Sequence, residues 1–78
     1  MNKLTSVEIS AGMFPTERTV SFDTTDGKTS VFVSLNQVDE EREALNVVLL
    51  DADDTYALVQ IPSQSGGTIA KVSRSMVK

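Results

Sequence analysis

Apolar and polar residues alternate with period two along most of this chain, the mark of half-buried β-strands. The clearest case is Ser6 to Met13, where Val7, Ile9, Ala11 and Met13 alternate with Ser6, Glu8, Ser10 and Gly12. Gly12 and Pro15 then punctuate a loop, Gly12-Met13-Phe14-Pro15-Thr16-Glu17-Arg18. Extended character resumes from Thr19 to Phe22, with Val20 and Phe22 on one face. Asp26-Gly27 follows between apolar runs, a strong hairpin signal because glycine accepts positive φ without steric cost. Thr29 to Leu35 is the return strand, with Val31, Val33 and Leu35 directed at the core and Phe32 on the other face.

The middle of the chain is less regular. Residues 36–43 are polar and acidic, and the helix formers from Val38 to Ala44 predict one short helical turn. A longer helix through Leu50 is the alternative, since Val38, Leu45, Val48 and Leu49 lie near helical spacing. The β-branched Val47 and Val48 are stiff at χ1 and favour a strand over Leu45 to Leu50, with both faces partly buried. Asp51 to Thr55 reads as a second hairpin turn. Tyr56 to Ile61 returns as a strand, with Ala57, Val59 and Ile61 on one face and Tyr56, Leu58 and Gln60 on the other. Pro62 ends it, because proline cannot donate to a ladder. Ser63 to Gly67 is a polar turn, Thr68 to Val72 a last short strand, and Ser73 to Lys78 a single turn followed by a closing contact from Val77.

Five or six short strands joined by tight turns predict an all-β fold, a small antiparallel barrel. Ala57-Leu58-Val59-Gln60-Ile61-Pro62, a Gly-rich turn, and then Ile69 through Val77 resemble the closing strands of SH3-like barrels. The resemblance covers only the last part of the chain and implies fold rather than function. The chain lacks the paired Trp and Tyr residues that line the proline-binding groove of peptide-binding SH3 domains, so recognition of Pro-rich peptides is not implied.

Composition narrows the chemistry. The 78 residues include no His, no Cys and no Trp. That removes the usual nucleophile–base pairs, disulfides and most transition-metal sites. Ser73 with Lys71, or Ser75 with Lys78, has no distinctive catalytic spacing, and no enzymatic activity and no cofactor are expected. One domain fits this length, and the chain reads as complete in itself. A chain this small buries about 60% of its unfolded surface, so its core is marginal and self-association would help it.

Net charge is −4, which argues against nucleic acid as a partner. No stretch approaches the roughly 20 apolar residues of a membrane span, and Met1 to Thr5 lacks the apolar run of a secretion signal. A cytoplasmic protein is expected, with no membrane partner.

Three surfaces are candidates for function. The loop brings Met13 and Phe14 beside a rigid proline and the charged pair Glu17 and Arg18, a pattern that suits contact with a protein partner or with itself. In the other reading of that loop, Phe14 caps an open end of the barrel. The second candidate is an acidic face, Asp39, Glu40, Glu41 and Glu43 with Asp51, Asp53 and Asp54, which suits an acidic inhibitor or mimic protein from a mobile element. The third is weak divalent-cation binding at Asp51-Ala52-Asp53-Asp54. That turn lacks the central Gly and terminal Glu of a calcium loop, and aspartates are common in turns because they accept hydrogen bonds from nearby amides. No metal ligand set is assigned.

Overall fold

In a computed structural model that describes residues 2–62 and 67–78, the chain forms eight strands. They are β1 (Asn2–Leu4), β2 (Glu8–Ala11), β3 (Glu17–Thr24), β4 (Gly27–Ser34), β5 (Val38–Asp39), β6 (Ala44–Ala52), β7 (Tyr56–Ile61) and β8 (Thr68–Ser73). All pairings are antiparallel, and the all-β expectation holds. The strands do not close into a barrel. They form a three-stranded sheet, β2-β3-β4, and a five-stranded sheet, β1-β6-β7-β8 with β5 also on β6. The count exceeds the expected five or six because β1 and β5 are only three and two residues long, too short for alternation to reveal.

The two sheets share one core. Val20, Phe22, Val31 and Val33 from the smaller sheet join Leu4, Leu45, Val47, Val59, Ile61 and Val72 from the larger in a single buried cluster. Alternation places these residues on inner faces, and their burial supplies most of the folding free energy. At the hairpin tip the Thr25 N–H donates to Lys71 O of β8 at 3.0 Å, tying one sheet to the edge of the other.

The β3–β4 hairpin follows its sequence signal. Thr24 pairs with Gly27, which carries the positive φ (111°), so Thr25 and Asp26 stay in ordinary backbone regions. The Thr24 hydroxyl accepts from the Asp26 N–H (3.1 Å) and donates to Gly27 O (2.7 Å), which reinforces the turn. The C-terminus also follows expectation. A 3-10 turn at Arg74–Met76 precedes Val77, which bridges to Leu4. Lys78 and Lys3 exchange backbone hydrogen bonds at 2.9 and 3.1 Å.

Other segments depart from expectation. The strand foreseen to reach Met13 ends at Ala11; Val7 is buried, but Ala11 and Met13 are exposed. Leu35 lies in a 3-10 turn (Leu35–Gln37) and is exposed, not in the core. The helical turn expected over residues 38–44 is instead a tight reversal between β5 and β6. Asp39 Oδ1 accepts from the Arg42 N–H at 3.1 Å, and Glu43 has φ 52°, a left-handed conformation that cannot continue a right-handed helix. The expected turn at Ser63–Gly67 lies largely outside the described residues.

One irregularity decides which way the acidic turn points. Leu49 pairs with Val59 but Asp51 with Leu58, so Leu50 is an extra residue in β6. Such a bulge shifts the alternation by one. Leu45, Val47 and Leu49 point inward, and without the bulge Asp51 would share that face. With it, Asp51 stands outside beside Leu58.

The two sheet faces predict opposite outcomes for two phenylalanines. Phe22 is 1% exposed and Phe32 52% exposed. In urea unfolding, Phe22→Ala is expected to cost about 3–5 kcal/mol, a large share of the roughly 4–12 kcal/mol available to a chain this size. Phe32→Ala is expected to cost less than about 1 kcal/mol. Equal losses would contradict the assignment of faces.

Candidate functional site

The segment between β2 and β3 is a closed loop with an apolar tip. Pro15 occupies the second position of a turn in which the Glu17 N–H donates to Phe14 O at 3.0 Å, the position where its fixed φ fits best. The Gly12 N–H donates to Glu17 O at 3.3 Å. A Cβ on Gly12 would lie 2.7 Å from that oxygen and 2.9 Å from Glu17 Cγ, so the close approach excludes a side chain here.

Glu17 is the anchor. By alternation along β3 its side chain lies on the outer face of the small sheet, yet the residue is 5% exposed. The loop covers it, and its Oε1 accepts from the Met13 N–H at 3.0 Å. A buried carboxylate is tolerated only where it finds donors, and here the donor is the loop it supports. Glu17 is therefore a buried brace beneath the loop rather than an exposed surface charge. Arg18 is also committed. Its Nη1 donates to Pro15 O (3.0 Å) and Glu17 O (2.9 Å), and its Nε pairs with Glu40 of the β5–β6 reversal.

Held in this way, Met13 is 78% and Phe14 61% exposed. Phe14 does not cap the core. Leu35 stands at the same end of the small sheet, its N–H donating to Thr16 O at 2.8 Å. A shallow hollow of about 410 Å³, lined by Thr16, Ser34, Leu35 and Asn36, adjoins this end. A second, of about 490 Å³, lies between β2 and the reversal and is lined by Ile9, Ser10, Ala11, Arg18, Glu40 and Glu43.

The acidic residues are not gathered into one surface. Asp39, Glu40, Glu41 and Glu43 lie at the start of β6, and Asp51, Asp53 and Asp54 at its far end. Nine strand residues separate the groups by about 25 Å. Several of the carboxylates have local partners. Asp39 accepts from the Arg42 N–H and Glu40 pairs with Arg18. Asp53 Oδ1 accepts from the N–H groups of Tyr56 (2.7 Å) and Thr55 (2.8 Å). Among the described residues no group of three acidic side chains is arranged to hold a metal ion. No helix among them is long and apolar enough to cross a membrane.

A second exposed apolar surface escaped the sequence reading. The outer face of the five-stranded sheet carries Val48, Tyr56, Leu58 and Ile69, each at least 36% exposed. Lys71 lies over the Tyr56 ring, its Nζ 4.8 Å from the centroid. A hollow of about 390 Å³ opens beside them, between Asp51, Asp53, Leu58 and Lys71. Alternation within β7 and β8 carried the signal, but only the register aligns these residues into rows. Ser73 Oγ lies 3.0 Å from Ser75 Oγ, and the Lys71 Nζ lies over the Tyr56 ring. Compared with known protein families, characterised proteins and solved structures, the chain matches none.

The turn hydrogen bonds give a pH prediction. The amides of Tyr56 and Thr55 bond the charged form of Asp53 and hold its carboxyl below the ordinary value of 3.8. A folded-state pKa below the unfolded value stabilises the fold above the unfolded pKa, and that contribution is lost as pH falls through the folded value. The stability gap between wild type and Asp53→Asn is therefore expected to narrow as pH falls from neutral to well below the ordinary value of 3.8. A gap that does not change with pH in thermal melts would contradict this.

Proposed function

We propose that this chain is a non-catalytic binding or assembly module that meets a protein partner through Met13 and Phe14. The observation that carries this reading is the exposure of both side chains on a loop whose backbone is fixed from beneath by Glu17. Large apolar groups held out in water raise the free energy of the free protein, and contact with a partner relieves it. A pre-ordered loop loses little further entropy on binding. Phe and Met are enriched at interface centres, where a polar rim completes the contact. Arg18, only partly exposed, and Glu40 supply that rim.

The scaffold we propose is an SH3-like arrangement in its C-terminal part. The 3-10 turn at Arg74–Met76 and the Leu4–Val77 bridge support it. The acidic-mimic reading has less support, because its carboxylates stand at opposite ends of β6 and several are bonded locally.

The test is a pull-down from source-cell lysate with tagged wild type and the double variant Met13→Ser/Phe14→Ser. Both are expected to melt within a few degrees of each other, since neither residue is in the core. A protein captured by wild type and lost by the variant is the expected result. Equal capture, or unfolding of the variant, would contradict the reading.

A further inference from the structure

The register of the five-stranded sheet arranges its outer face in two rows. One row is Val48–Gln60–Ile69 and the next is Asp51–Leu58–Lys71, each running across β6, β7 and β8. In each row the β7 residue is central, with flanking residues about 4.8 Å to either side. The Leu50 bulge brings Asp51, rather than Leu50, opposite Leu58. Val48, Leu58 and Ile69 are 41%, 36% and 59% exposed.

These rows are self-complementary. We propose that a second copy of this chain packs on this face, about a two-fold axis running along β7. Rotation about that axis exchanges the β6 and β8 sides. Leu58 then meets Leu58 of the other copy, and Gln60 meets Gln60, whose amides both donate and accept. Val48 meets Ile69, apolar against apolar, and Asp51 meets Lys71, acid against base. This is an isologous contact, in which one patch satisfies itself. The sheets pack aligned, as inner faces of sandwiches do. The occupant is a second copy because the pattern of charge and apolar groups matches its own image at each of these positions. In the free chain Lys71 leans over Tyr56 instead, an exposed cation–π contact that an interfacial ion pair replaces. This surface is separate from the Met13–Phe14 tip, so either contact can exist without the other.

Sedimentation of the full chain over a range of concentrations up to its solubility limit tests the proposal. Wild type should pass from monomer to dimer, and the Met13→Ser/Phe14→Ser variant should do the same. Ile69→Lys should remain monomeric with an unchanged circular dichroism spectrum; Leu58→Lys, at a more covered position, is the second such variant. Asp51→Lys alone and Lys71→Asp alone should each weaken association roughly tenfold or more, and the double variant Asp51→Lys/Lys71→Asp should restore it. Wild type that stays monomeric throughout would overturn the proposal. So would a dimer that survives Ile69→Lys, or a double charge variant no better than the single ones.

Discussion

A single interior layer lies between the two sheets, and the rest of the structure follows from it. The apolar residues of β3 and β4 meet those of β6, β7 and β8 there, with Leu4 and Val77 joining the same cluster. Each sheet therefore has one covered face and one open face. No further element among the described residues lies over the open ones. Apolar residues that alternation puts outside, Phe32 on one sheet and Leu58 and Ile69 on the other, remain in solvent. The small core and the large exposed apolar surface have the same geometric cause.

The loop before β3 is the exception to that economy. Glu17 lies buried beneath the loop and accepts from the Met13 amide, while Met13 and Phe14 stand in solvent. Gly12 makes the close approach possible and Pro15 fixes the turn. Arg18 then ties the loop to the β5–β6 reversal through Glu40. Gly12, Pro15, Glu17 and Arg18 thus hold two apolar residues in solvent, a local arrangement that hydrophobic collapse alone would not produce.

Much of the fold was legible because its signals are local. The Asp26-Gly27 turn, the alternation through β3, β4 and β7, and the closing contact of Val77 all depend on a few adjacent residues. The loop with Met13 and Phe14 was equally visible from Gly12 and Pro15. The features that escaped depend on partners distant in sequence. Nothing around Leu50 marks a bulge, since a bulge is a relation between β6 and β7. Glu17 reads as a surface charge until the loop is seen to cover it. Asp39 to Ala44 has helix formers, but the Asp39 side chain captures the Arg42 amide and closes a reversal instead. The exposed apolar rows were present in the alternation of β7 and β8. Their meaning needed the register across three strands.

The most direct test of this account is the hydrogen exchange of the Met13 amide in the folded protein. If Glu17 braces the loop from beneath, that amide exchanges slowly in wild type and in Glu17→Gln, which keeps an acceptor oxygen. In Glu17→Ala it exchanges freely, while the core amides of β3 and β7 stay protected. A Met13 amide that exchanges in wild type as fast as in Glu17→Ala would show that the loop is not held, and the exposed tip would lose its physical basis.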